Sequence, residues 1–517
     1  MKTVLIFLDS LNRHYMSLYG GTQVRTPNID RLASSGVVFN NHYAGSLPCM
    51  PARRELMTGR INFTETPWSG MQPYDESLPR LLNERGVYTH LITDHYHYFE
   101  QRAHGYHTDF TSWEFMRGQE GDPWIPRVRD PKVPPYRGKN RRQDWVNREA
   151  MDLERDEDYP TPQCFMRGME FLKANAHEAD WFLQLEVFDP HEPFVCPAKY
   201  RNQFAPPWNG PFHFDWPPYA PVSDEEREAM DHIRACYAGT LAMADLWLGK
   251  FLDQVDELSL TDDLRIILTT DHGHLLGEHG YWAKNYMHDY PELVHLPLIV
   301  RDPSAAPLGA TGTAGTEAWQ KTAARPAQPG TEAPSRAQTA IDALTTTIDI
   351  MPTILSWHGV DIPASVQGKP WQHLLSDTAR ETTHHETVLF GYWGKTINIT
   401  DGKYQYTRVP DPAKPRYDHT AMPVRYMGAD SDELRHAELG DFLPTANGVP
   451  VYRVKFPGSD GGEHVPHEDL LADLSLDNPV ANPIQDAELH SQWQQRLRDA
   501  MINHDVPGTE LQRFRLA

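Results

Sequence analysis

The chain has 517 residues, long enough for about two or three units of ordinary domain size or for one large α/β unit with an appendage. Its 71 acidic against 48 basic side chains leave a formal charge of -23, which argues against a nucleic-acid polyanion or an acidic membrane surface as partner and requires any anionic substrate to meet a local positive site. Cys49, Cys164, Cys196 and Cys236 form no C-x-x-C pair, so neither a disulfide framework nor a zinc ribbon is expected, and a reducing, cytoplasmic setting fits.

Residues 3–8 are an apolar, β-branched run without alternation, as expected of a strand buried on both faces, and the run stops at Asp9. Six residues are too few for the apolar core of a signal peptide, and no apolar stretch of about 18 residues occurs elsewhere to span a membrane. A helix follows over 28–35, and Cys49 falls in a solvent-reachable loop ahead of another helix. Residues 87–93 form a second strand, giving way to Asp94-His95-Tyr96-His97; residues 181–188 form a third, running into Asp189-Pro190-His191. After a helix-like stretch at 225–255, residues 264–270 run into Asp271-His272-Gly273.

Strands alternating with helices imply a large, mostly parallel sheet flanked by helices, and in such sheets ligands bind beyond the carboxyl ends of the strands. An acid after one strand is ordinarily a turn former or helix cap. Four strands with the same ending point to one shared edge. Asp9, Asp271 and His272 are the residue types that suit a divalent metal there, two hard carboxylates and an imidazole.

Residues 304–339, rich in Ala, Pro, Thr and Gly, read as a mobile surface insertion, and 340–359 is helix-like. From about 383 the pattern changes to short strands at 387–393 and 403–407, a small antiparallel sheet, closed by a helix at 486–502. The expected division is therefore a unit over 1–380 and a smaller α+β subdomain over 381–517. The His384-His385 pair reads as surface or turn residues rather than ligands.

Leu47-Pro48-Cys49-Met50-Pro51-Ala52-Arg53 is followed at once by Leu56-Met57-Thr58-Gly59-Arg60. With Thr26-Pro27-Asn28-Ile29-Asp30-Arg31, Asp189-Pro190-His191-Glu192-Pro193, Asp271-His272-Gly273, Gly277-Glu278-His279-Gly280, Lys284 and Ile348-Asp349-Ile350-Met351-Pro352-Thr353, it resembles the type I sulfatases and phosphonate monoester hydrolases of the alkaline phosphatase superfamily. The likeness covers roughly 1–380 and is only topological beyond.

The resemblance implies that Cys49 is oxidised by a formylglycine-generating maturation enzyme to formylglycine, whose hydrate is the nucleophile. It makes Asp9, Asp271, His272 and the modified Cys49 ligands of one divalent ion, calcium, manganese or magnesium. Members of the family commonly carry a second Asp, Asn or Gln where this chain has Ser10; Asn12 could substitute, or Ser10 could bind through its hydroxyl or a water. By the same likeness Arg53 holds the nucleophile, Lys284 meets a non-bridging oxygen of the substrate, and His191 is either the general acid or a neutral hydrogen-bond donor. His95 and His97, in place of a Lys-x-His, contact substrate, as does His279 unless it acts only from behind the site.

The implied activity is hydrolysis of sulfate esters, arylsulfatase-like. The same machinery acting on phosphonate monoesters or phosphodiesters is the alternative, and a metal-binding relative without catalysis is the third. The substrate is a small anionic ester; loops at 113–159 and 204–219 carry Trp, Tyr, Pro and Arg that suit an aromatic or sugar leaving group, a packed lid, or an oligomer contact. A homodimer or homotetramer through the C-terminal region is the expected assembly.

Overall fold

The computed structural model describes residues 1–305, 339–375, 383–426, 432–458 and 466–517. Its first strand, β1 (Lys2–Leu8), is buried throughout, and its side chains divide between two cores. Val4, Ile6 and Leu8 pack with Trp247, Ile266 and Leu268 on one side, while Leu5 and Phe7 pack with Leu56, Leu82 and Ile354 on the other. A strand apolar on both faces belongs in the middle of a sheet covered twice.

Along the chain follow β2 (Val37–Tyr43), the short β3 (Ser46–Leu47), β4 (Tyr88–Thr93), β5 (Ser112–Phe115), β6 (Trp181–Val187) and β7 (Leu264–Thr269). A hairpin of β8 (Leu275–Leu276) and β9 (Trp282–Ala283) stands apart, before β10 (His295–Arg301), β11 (Thr339–Ile341) and β12 (Thr345–Thr346). The main sheet has the order β11-β2-β10-β7-β1-β6-β4-β5, with β12 also on β2. Strand β10 runs against both its neighbours, and the other pairings are parallel. Helices α1 (Pro27–Ser34), Pro160–Asn175 and Met230–Glu257 cover one face. Helices α2 (Cys49–Thr58), Leu78–Glu84 and Ile350–Trp357 cover the other.

The later part of the chain adds β13 (Val388–Tyr392), β14 (Ile397–Thr400), β15 (Tyr404–Arg408), β16 (Arg416–Thr420), β17 (Glu438–Gly440), β18 (Val451–Phe456) and β19 (Leu470–Asp473). Strands β19-β15-β14-β13 form an antiparallel sheet, β16-β18-β17 a smaller one. Asp486 caps the helix Ala487–Asn503 by accepting from the Glu488 and Leu489 amides. Trp493, Leu497 and Met501 on that helix pack on Leu389, Ile397 and Ile399, together with Ile61 and Phe63 from the earlier part of the chain. Strand β3, two residues before Cys49, pairs in parallel with β13, so the Cys49 segment is tied to the antiparallel sheet. The fold is thus the expected mixed, mostly parallel sheet with separate antiparallel sheets. Among the described residues no helix is long and apolar enough to cross a membrane.

Two local expectations are corrected. Residues 340–359 are not one helix: β11 and β12 pair with β2, and the helix is confined to Ile350–Trp357. The reason is the β-branched Thr345-Thr346-Thr347 run, which extends along β2 until Asp349 closes a capping box with Thr346 and turns the chain into the helix. Cys49 is not in an exposed loop. It is the first residue of α2, and every residue of that helix is buried. Pro51 is tolerated there because the first turn has no partners for its amides anyway, and Gly59 ends the helix in the left-handed conformation, φ 63°, its amide on the Glu55 carbonyl at 2.8 Å. The proposed insertion lies outside the described residues except at its ends, and so does the boundary near 380.

Candidate active site

Strands β7, β1, β6 and β4 are neighbours and run the same way, so their carboxyl ends share one edge. Ligand atoms of Asp9, Asp271, His272 and Cys49 all lie within 4.8 Å of one another there, fully buried. Arg53, one turn into α2 from Cys49, reaches under the cluster: Nη2 is 2.8 Å from Asp9 Oδ2, Nη1 is 2.8 Å from Asp271 Oδ2 and 3.0 Å from the Cys49 carbonyl, and Nε is 2.7 Å from Glu186 Oε1. The five donors of a guanidinium's fixed fork let it hold three carboxylates and a carbonyl at once, one acceptor more than an ammonium has donors. These neighbours hold Arg53 well above its ordinary pKa although burial opposes the charge.

Four carboxylates, Asp9, Asp271, Glu186 and Glu192, face two cations, Arg53 and Lys284, so the ionised cluster carries two uncompensated negative charges. Burial, and then the Asp271 carboxylate, push Asp9 up to about 8 against the pull of Arg53, Lys284 and Ser10. Asp271 is also buried, yet His272, Arg53 and Lys284 hold it low. The pair cannot both ionise cheaply without a further positive charge. A divalent cation has the charge the cluster lacks, and the donor set of two carboxylates and an imidazole fits a hard one.

The second nitrogen of His272 fixes its tautomer. Nδ1 is 2.9 Å from the Gly273 carbonyl, which only accepts, so Nδ1 carries the proton and Nε2 presents its lone pair to the cluster, 3.2 Å from Cys49 Sγ. Burial lowers the ring to about 3, keeping it neutral. Gly273 explains its own place in the motif, because a Cβ there would stand 1.9 Å from the Glu292 carbonyl oxygen.

Ser10 has a left-handed backbone, φ 61°. That turn aims its amide at Asp271 Oδ1, 3.1 Å away, and its hydroxyl at Asp9 Oδ1, 2.8 Å away, while Lys284 Nζ donates to the same hydroxyl at 2.9 Å. Asn12 does not take the second-ligand position. Its Oδ1 accepts from the His14 amide and its Nδ2 donates to the His274 carbonyl. Lys284 follows β9 and is charged in place: burial opposes the charge, but Cys49, Glu192, Asp9 and Asp271 raise its pKa.

His191 stands at the rim of the cluster, Nε2 4.0 Å from Asp9 Oδ1, with Nδ1 on the Glu192 carbonyl. A neutral His191 therefore offers Nε2 as an acceptor, which removes the neutral-donor role; only the imidazolium can give a proton through that atom. Burial pushes the ring well below its ordinary pKa, with Lys284 also opposing the charge and Glu192 favouring it. His95 Nδ1 is 3.8 Å from Asp9 Oδ2, and neither of its buried ring nitrogens has a hydrogen-bond partner among the described residues. His97 lies beside it, ring centroids 4.9 Å apart, with Nε2 3.3 Å from Glu120 Oε2. His279 is not brought to the cluster: it hydrogen-bonds Glu292 at 3.0 Å and stacks on Tyr290 at 3.9 Å.

Asp94 and Asp189, the other strand-end acids, do not join the cluster. Asp94 accepts from the Phe188 amide and the Thr161 hydroxyl, an ordinary tie between strand ends. Sequence reasoning passed over Glu186, Glu192 and Tyr237. Tyr237 accepts from the Asn12 amide at 2.8 Å and donates to the Ser10 carbonyl at 3.0 Å, locking the turn after β1. Glu186 had a signal, since it and Gln184 stand two apart in an otherwise apolar strand and so share a face.

A family model described as Sulfatase matches residues 2–360. An arylsulfatase of Clostridium perfringens is 23% identical over 432 residues, 74% of this chain and 80% of that protein. An N-acetylglucosamine-6-O-sulfatase of Bacteroides thetaiotaomicron is 23% identical over 439 residues, 73% of this chain and 71% of that protein. Among solved structures, the phosphonate monoester hydrolase of Agrobacterium radiobacter superposes with a TM-score of 0.65 at 17% identity, covering 97% of this chain and 96% of that one. At that identity the likeness speaks for the fold alone.

Proposed function

This chain belongs to the sulfatase family, and on that premise we propose that it hydrolyses sulfate esters with Cys49, converted to formylglycine by a maturation enzyme, bearing the nucleophile. The observation that carries the reading is the convergence of Asp9, Asp271, His272 and Cys49 over the Arg53 guanidinium. Cys49 Sγ stands where the carbonyl carbon's hydroxyls would be after oxidation and hydration. Asp9, Asp271 and His272, with the Cys49 hydrate, would hold one divalent cation, and Ser10 stands at its edge. When bound, that cation supplies the missing positive charge and lowers the pKa of a hydroxyl beside it.

One hydroxyl of the hydrate, its proton released to water, attacks the ester sulfur in line through its oxygen, and the bond from sulfur to the alcohol oxygen breaks with its electron pair leaving on that oxygen. His191, protonated, gives the leaving oxygen its Nε2 proton; the anionic ester placed beside it favours the imidazolium that burial alone opposes. The second hydroxyl then gives its proton to Nε2 of the now neutral His191, the carbon–oxygen bond to sulfate breaks with its electron pair leaving on the sulfate oxygen, and the aldehyde double bond re-forms, ready for another water. Lys284 pairs with a non-bridging oxygen, and His95, whose ring nitrogens have no hydrogen-bond partner among the described residues and whose Nδ1 is 3.8 Å from Asp9 Oδ2, meets another.

Mass spectrometry of the peptide spanning Cys49, together with turnover of an aryl sulfate, a phosphodiester and a phosphonate monoester by the same preparation, tests this. A loss of about 18 Da relative to cysteine and fastest turnover of the sulfate are expected. An intact thiol in active protein overturns the nucleophile. A sulfate rate far below both phosphorus esters overturns the substrate class.

A further inference from the structure

A second group of ligating side chains lies outside the active cluster. Asp349, His384 and His385 bring their donor atoms within 4.8 Å of one another. The pair read from sequence as surface or turn residues is instead held against a carboxylate, with Asp349 fully buried and the His384 side chain 1% exposed. His385 Nε2 is 2.9 and 3.1 Å from the two Asp349 oxygens, and His384 Nε2 is 3.3 Å from Oδ2.

The arrangement is unbalanced as a set of hydrogen bonds. His385 already covers both carboxylate oxygens, and the amides of Thr346 and Lys369 donate to them as well, at 2.9 and 2.8 Å. Neither nitrogen of His384 makes a hydrogen bond among the described residues, despite its closeness to Oδ2. A buried imidazole whose nearest polar partner is a single carboxylate oxygen 3.3 Å away is poorly satisfied, which is costly. Its backbone is nonetheless pinned, since Lys369 Nζ donates to the His384 carbonyl at 3.0 Å.

We propose that Asp349, His384 and His385 form a three-residue zinc site distinct from the active cluster, its fourth position taken by water. Ligands at about 2.0–2.1 Å from a tetrahedral zinc ion stand about 3.3 Å apart, and the nitrogen–oxygen separations here run from 2.9 to 3.3 Å. Two imidazoles and a carboxylate are donors that favour zinc over the harder ions suited to the active cluster. The ion would join the turn ahead of the helix Ile350–Trp357, which packs on the face covered by α2, to the segment entering β13, which pairs with β3 just before Cys49. Its role is to clamp these two parts of the chain together.

The test loads the full-length protein with zinc after chelation and measures bound metal per chain and melting temperature. On an Asp271→Ala background, which removes a ligand of the first site, about one equivalent of zinc is expected to remain and to raise the melting temperature; adding His384→Gln and His385→Gln should abolish both effects. Equal zinc in both proteins, or none in either, overturns the proposal. Because the histidine variants could fail to fold, zinc-edge anomalous diffraction from zinc-soaked crystals of the unaltered protein gives a second readout. A peak between Asp349 and His384 is expected, and its absence at saturating zinc overturns the site. Neither outcome depends on whether the protein turns over sulfate esters.

Discussion

Glu186 Oε1 stands 2.7 Å from Arg53 Nε, while the two Nη atoms of the same guanidinium hold Asp271 and Asp9. Glu186 itself is fully satisfied, its Oε2 accepting from Tyr98 at 2.7 Å and from Gln184 at 3.0 Å. It is a positioning residue that orients Arg53, and through it the two carboxylates and the Cys49 carbonyl. Glu186→Gln keeps the shape but removes a buried counter-charge, so a loss of roughly 1–3 kcal/mol in stability is expected. Turnover should fall about tenfold to a hundredfold with KM little changed, because the geometry matters most in the transition state. A lower melting temperature with unchanged kcat would reduce Glu186 to a structural role.

Cys49→Ala should abolish turnover at modest cost to folding. The change removes one small buried side chain beside His272 Nε2, 3.2 Å away, worth about 1 kcal/mol. The helix α2 is held by other residues, above all the Arg54 and Arg60 network with Asp75. Circular dichroism and melting close to the parent, with no product formed, are the expected results. Aggregation would mark the cysteine as structural.

The parts of the fold legible in the sequence were those written locally. The apolar runs of β1 and β7 end in Asp9 and Asp271 because a strand leaving a doubly covered sheet meets polar surroundings at its carboxyl end. Cys49 and Arg53 are four residues apart on one helix, so a single motif carried both. What stayed hidden depends on partners far along the chain. His384 reads as a turn residue until Asp349 meets it, and the neighbouring His385 bonds that carboxylate across 36 residues. Residues 340–359 read as helical because the β-branched threonines favour extended chain only weakly by themselves, and the strand they pair with, β2, lies far back in the sequence. Asn12 and Ser10 were interchangeable on paper; their partners separate them, Asn12 held by the His14 amide and the His274 carbonyl, Ser10 bonded to Asp9 and Lys284.

Glu55, on α2, gives a pH dependence that runs opposite to ordinary surface acids. Burial pushes its carboxyl up to about 8, although the Ser46 amide and hydroxyl favour the charged form. With the folded pKa above the unfolded one, its contribution to stability is complete below about pH 4.5 and is lost as pH rises toward 8. Glu55→Gln can keep the Ser46 amide bond without the charge. The variant should therefore gain on the parent steadily between pH 5 and 8 in melting experiments, by a few kcal/mol across that range at most. A constant difference across those values would mean that Glu55 does not titrate within the folded protein.

Asp75, which pairs with Arg54 of the same helix, shows the reverse sign. Burial alone would raise its carboxyl, but Arg54 first, then Arg60 and the Gln72 amide, bring it down to about 2. Arg54 Nε is 2.7 Å from Oδ2 and Arg60 Nη2 is 3.0 Å from Oδ1, with all three side chains buried. A folded pKa below the unfolded one contributes stability that is present above about pH 4 and lost as pH falls toward 2, here about 2 kcal/mol. Asp75→Asn leaves two buried guanidinium groups short of a counter-charge, which costs about 3–5 kcal/mol at neutral pH. The deficit of the variant should shrink as pH is lowered from 5 to 2, because the parent loses the same charge by protonation. An equal deficit at pH 3 and pH 7 would assign the loss to packing rather than to the ion pairs that anchor α2.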